Sequence, residues 1–172
     1  MPFWAKDISV GSRMINARVE TVTSKPAFRA ALKQRRCLIP ANGYYEWFGK
    51  AGNKQPYYFH LPSGEPFAFA GLYEIWEDKE APPEAGPYKS FTIITTNASD
   101  SVKDIHNRMP VILKPEALDE WLDPTNKEPA KIEELLKTAY VKELKRYPVS
   151  KLVNQVGNNK KECMEPLKES GD

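Results

Sequence analysis

Apolar positions along the chain switch between two periods, and the switches delimit the predicted elements. Phe28, Ala31 and Leu32 recur at helical spacing and predict a short helix over residues 24–36, with Ser24 as its cap and Pro26 in its first turn. Runs rich in aromatic and β-branched residues then predict strands at Cys37–Pro40, Tyr44–Phe48, Pro56–Leu61, Phe67–Ile75 and Ser90–Thr96. Gly49–Asn53 and Pro62–Gly64 supply turns between them, and Glu77–Pro87 reads as a surface loop. Further on, Ser99–Ile105 reads as a short helix after Asn97, and Met109–Leu113 as a strand. Pro115 opens a helix to about Leu122, and Pro129–Ala139 forms another with Ile132, Leu135 and Leu136 on one side. Lys145–Val149 returns as a last strand, and the charged tail after about Lys160 is expected to fray. This order predicts one α+β domain: a curved, largely antiparallel sheet with short peripheral helices. The domain is expected over residues 1–160, with a polar tail over 161–172.

Composition narrows the class. The 172 residues are 41% hydrophobic and 11% aromatic, enough apolar surface for one core. No apolar run approaches the roughly 20 residues of a membrane-spanning helix. The opening Pro2-Phe3-Trp4 runs straight into Lys6 and Asp7, unlike a signal peptide. Cys37 and Cys163 lack metal-like or redox-like spacing, so a reducing, cytoplasmic setting is expected, with no metal, no cofactor and no membrane partner. The net charge of +2 is unevenly spread: residues 1–60 hold ten Lys/Arg against three acids, so the rest of the chain is net acidic. A polyanion-binding face and an ordinary solvated surface both fit that asymmetry.

Three segments carry polar groups where a buried strand would want apolar ones. In Met14–Thr21, Asn16, Arg18 and Glu20 alternate with apolar residues and share a face if the segment is extended. An amide beside a guanidinium suits a phosphate or sugar; an edge strand with one solvated side gives the same pattern. In Pro40–Trp47, Glu46 lies among aromatic residues, where desolvation raises a carboxyl toward the range useful for proton transfer. A paired strand carboxylate is the alternative. In Asp104–Pro110, His106 occupies a predicted helix-to-strand turn and can act as acid or base near neutrality, or pack structurally. His60, between Phe59 and Leu61, reads as a surface or packing residue. Phe3 and Trp4 beside Lys6 suit base stacking next to a phosphate contact, although a core role for Trp4 fits equally. No nucleophile–His pair with a third orienting group supports a conventional Cys or Ser protease.

Taken in order, Pro2–Asp7, Met14–Thr21, Arg36–Trp47, Phe69–Glu74, Thr92–Thr96, Asp104–Leu113 and Pro148–Ser150 resemble the SOS-response-associated peptidase (SRAP) family over about residues 1–158. The resemblance implies a monomeric protein of the DNA damage response that binds single-stranded DNA and processes abasic sites. In that family a Cys exposed by removal of the initiator Met captures the ring-opened abasic aldehyde, through a Schiff base, as a thiazolidine. By motif, Asn16 would hold the nucleophile and sugar, Glu46 would transfer protons, and His106 would act as acid/base, including in reversal. Arg18 would grip a flanking phosphate, while Trp4 and Phe3 would stack on bases. Family members carry a Met-Cys-Gly-Arg-Phe-like start ahead of the Trp-Ala-Lys-Asp segment, whereas this chain starts within that segment. The expectation is therefore a domain lacking its Cys-bearing N-terminal segment, whose peptidase or lyase-like activity is in question. A non-catalytic remnant, serving as a DNA-binding or interaction module, is the alternative.

Overall fold

A computed structural model describes residues 2, 4–78, 80, 82, 84 and 86–167. In chain order the strands and α-helices are β1 (Asn16–Arg18), α1 (Val19–Val22), α2 (Arg29–Gln34), β2 (Arg36–Ala41), β3 (Tyr44–Phe48), β4 (Gln55–His60), β5 (Phe67–Trp76), β6 (Tyr88–Asn97), β7 (Arg108–Pro110), α3 (Leu118–Leu122), α4 (Pro129–Thr138) and β8 (Lys145–Pro148). The architecture is α+β, as the sequence predicts, with its strands shared between two sheets. The chain forms two compact units: residues up to Pro40 with Ala68–Thr96 and Pro110–Val141, and Ala41–Phe67 with Asn97–Met109 and the residues from Lys142 on. No helix among the described residues is long and apolar enough to cross a membrane.

The first unit is built on the sheet ordered β1-β6-β5-β2. β1 runs parallel to β6, and β5 antiparallel to it. The core lies where α1, α2, α3 and α4 bring Val22, Leu32, Trp121, Ile132 and Leu136 against Ala70 and Ile94. Trp121 is fully buried and its indole N–H donates to the Cys37 carbonyl at 3.0 Å. The Arg36 guanidinium, 5.6 Å from the Trp121 ring centroid, donates to the carbonyls of Leu32, Trp121 and Asp123. One side chain thus satisfies carbonyls that the ends of α2 and α3 leave without helical partners.

The second unit is the antiparallel sheet β3-β4-β8. Its register pairs Tyr45 with Tyr58 and Tyr58 with Tyr147, so one face carries a row of tyrosines. Their rings stand 5.3 and 5.6 Å apart. Glu46 pairs with Tyr57, and Phe59 with Tyr44 and Arg146, so these residues share the opposite face.

Several elements differ from expectation. The predicted helix over 24–36 shortens to Arg29–Gln34, and Ser24 does not cap it; its hydroxyl donates to Thr21 O at the end of α1. Ser99–Ile105 forms successive turns rather than a helix, closed by Val102 and Lys103 N–H on Ser99 O. β7 ends at Pro110, and Ile112 and Leu113 make only isolated bridges. A 3-10 helix over Ile8–Arg13, capped by the Asp7 side chain on Ser9 N–H, was not anticipated. Residues 161–167, expected to fray, pack instead: Cys163 is buried, and Tyr45 and Tyr147 hydroxyls donate to the carbonyls of Cys163 and Met164. Tyrosine hydroxyls on the sheet give this polar segment something to bind, which hydropathy does not register. His60 packs as expected, stacked on Tyr58 with Nδ1 at 2.7 Å from Leu61 O.

Candidate functional site

Asn16 and Arg18 occupy the first and third positions of β1, at the edge of the larger sheet. Ala17 between them is buried, so period-two geometry sends both polar side chains to the exposed face. The edge is pinned by Ile93 N–H on Ile15 O at 3.0 Å and by the Thr92 hydroxyl on Met14 O at 2.6 Å. Glu20 does not share this face: the chain leaves the strand at Arg18 and enters α1. Its place in the alternation was a coincidence of spacing.

Trp4 is 47% exposed, which excludes a core role and leaves its ring available to a ligand. Its backbone is held locally: Ala5 N–H donates to Pro2 O at 3.0 Å, and the buried Trp76 indole donates to Ala5 O at 2.7 Å. Phe3 lies outside the described residues.

The second unit brings Glu46 and His106 together. Glu46 Oε1 stands 3.8 Å from His106 Nδ1, an ion-pair distance rather than a direct hydrogen bond. The carboxyl is the more enclosed partner, its side chain 23% exposed against 44% for the imidazole. Burial pushes the Glu46 carboxyl above its ordinary value, against the pull of His106, Lys54 and the Trp47 backbone N–H. Nearby Tyr44 is likewise pushed up, by burial first and then by the Glu46 charge. His106 Nδ1 also lies 3.1 Å from Arg108 N and 2.9 Å from Arg108 O. Neutral imidazole protonated at Nε2 accepts from that N–H, and imidazolium donates to that carbonyl. A carboxyl held above its usual range beside such an imidazole suits acid–base chemistry on a bound substrate.

Lys54 and the turn-holding pair Asp104–Arg146 escaped sequence reasoning. Lys54 was accessible in principle, because pairing Phe48 with Gln55 puts it at the mouth of the β3–β4 hairpin. Nothing in the spacing joins Asp104 to Arg146. Among the described residues no group of three or more His, Cys, Asp or Glu is placed to hold a metal ion.

Comparison with known proteins covers most of the chain. The family model for SOS response associated peptidase (SRAP) matches residues 1–156. The chain is 45% identical over 166 residues to the abasic site processing protein YoqW of Bacillus subtilis, spanning 96% of this chain and 72% of that protein. It is 32% identical to the abasic site processing protein HMCES of Gallus gallus, over 97% of this chain and 55% of that protein. A crystal structure of a Bacteroides thetaiotaomicron protein superposes with a TM-score of 0.83 at 30% identity, over 96% of this chain and 72% of that one.

Proposed function

Because the chain belongs to the SOS response associated peptidase (SRAP) family, we propose that it processes abasic sites in single-stranded DNA, with Glu46 and His106 as its proton-transfer pair. The observation that carries this reading is the half-buried Glu46 carboxyl, pushed above its ordinary value and facing His106 at 3.8 Å. An abasic sugar in its open form offers an aldehyde. An amine adds to it, and water must leave the resulting carbinolamine to give a Schiff base. A carboxyl held above its ordinary value gives up a proton to the departing hydroxyl, and as carboxylate takes a proton back in the reverse direction. His106 supplies or removes the second proton.

The covalent partner is a Cys at the N-terminus in the family mechanism, whose amine forms the Schiff base and whose thiol closes it to a thiazolidine. Neither Cys37, inside β2, nor the buried Cys163 offers an amine with its thiol. That step needs a Cys-led segment joined ahead of the present Met1. Asn16 contributes an amide to the sugar and Arg18 a guanidinium to a flanking phosphate, while Trp4 offers a stacking surface to a base. Binding is tested by titrating labelled single-stranded DNA, with and without an abasic site, at several salt concentrations. Affinity that falls with salt and favours the lesion supports the reading, and no binding at low salt overturns it.

A further inference from the structure

We propose that Arg146 and Asp104 are positioning residues that clamp the turn bearing His106 against the sheet face bearing Glu46, an inference that rests on reading those two as the proton-transfer pair. The Arg146 fork donates to both oxygens of Asp104, at 2.7 and 2.5 Å. It also donates to Ser101 O at 2.7 Å, so one guanidinium holds two points of the turn. Its own place is fixed by the sheet: Arg146 lies opposite Phe59 in the β4–β8 register, about 6 Å from the Phe59 and Tyr57 ring centroids. Tyr57 is in turn the cross-strand partner of Glu46. Two residues beyond Asp104, His106 N–H closes the turn on Val102 O at 3.1 Å. A second tie runs through Ser101, whose hydroxyl donates to Lys142 O and accepts from Leu144 N–H at the entry to β8.

A partly exposed ion pair ordinarily contributes little to stability. The geometry here points to a different use. The turn between β6 and β7 has no helix to stiffen it, so the His106–Glu46 separation depends on what anchors residues 101–104. Lysine at 146 keeps the charge but cannot hold both Asp104 oxygens and the Ser101 carbonyl in one plane.

The test follows the Glu46 carboxyl by carbon-detected NMR titration, assigned with Glu46→Gln, in the free protein. His106→Gln should raise the Glu46 midpoint, because a neighbouring imidazolium favours the carboxylate. Asp104→Asn and Arg146→Lys should each produce most of that rise, and neither should add to it when combined with His106→Gln. The sign separates positioning from simple charge loss, since removing the Asp104 charge alone would lower the midpoint. Asp104 is the more exposed member, so its variant decides the matter if Arg146→Lys perturbs the fold. A midpoint that stays at or falls below the wild-type value in Asp104→Asn overturns the clamp. Intact coupling in a protein that ignores abasic DNA would overturn the functional reading alone.

Discussion

Two opposing influences act on the Glu46 carboxyl, and burial outweighs the pull of His106 and Lys54. The folded protein therefore binds this proton more tightly than the unfolded chain. Between the unfolded and folded titration points the native state holds the extra proton, so stability falls as pH rises through that interval. Glu46→Gln removes the ionisation and should unfold at a higher temperature than wild type at neutral pH. That advantage should vanish below the ordinary carboxyl value near 4.5, as thermal melts at both pH values would show. The same variant should slow Schiff-base formation, the usual exchange of function for stability. Arg18 belongs to a different class, exposed at a sheet edge. Arg18→Ala should weaken single-stranded DNA binding whatever the sequence and lower the salt slope by about 1. At this scale the sequence was informative about identity: alternation exposed the Asn16–Arg18 face, and the aromatic surroundings of Glu46 implied its desolvation. It was silent on what holds the groups, because Asp104 and Arg146 meet only through the fold.

The small sheet β3-β4-β8 places Glu46, and its packing leaves no room at Gly43. A Cβ there would stand 2.3 Å from Tyr58 Cζ and 2.5 Å from Phe59 O, so either the tyrosine or the strand backbone must move. Gly43→Ala should cost roughly 1–3 kcal/mol in denaturant unfolding and disturb the Glu46 titration as well, since both depend on the β3–β4 register. Elements with dense apolar patterning were legible: β3, β5 and α4 lie within a few residues of their predicted spans. Two of the misreadings share a cause. Ser99–Ile105 carries helix-compatible residues, yet its carbonyls and side chains are engaged by Lys142, Leu144 and Arg146, and tertiary bonds held it as turns. Residues 161–167 look polar enough to fray, but backbone carbonyls accepting from Tyr45 and Tyr147 fix them. Hydrophobic periodicity reports burial of side chains and is blind to such backbone anchoring.

For the molecule as a whole, the charge asymmetry of the sequence counts basic side chains that the fold itself engages. Arg36 is spent on the carbonyls of Leu32, Trp121 and Asp123, and Arg35 pairs with Glu74 at 2.8 Å. Two of the ten bases in the first 60 residues therefore serve the fold, which leaves the proposed DNA contact to others such as Arg18. The larger sheet presents a second feature that patterning did not reveal. Tyr73, Ile75 and Phe91 are 39%, 48% and 58% exposed, beside an open groove of about 550 Å³. In the 172-residue chain this patch should bind an apolar dye, and Ile75→Thr with Phe91→Ser should abolish that signal without altering the circular dichroism spectrum. The most direct measurement of the central claim is a denaturing gel of abasic single-stranded DNA incubated with two proteins: the chain itself, and the chain carrying a Cys-led N-terminal segment. The extended protein should give a heat-stable shifted band that forms more slowly with Glu46→Gln, while the 172 residues alone give none. An extended protein that stays inert, or one whose rate ignores both Glu46 and His106, would contradict the assignment of abasic-site chemistry to this pair.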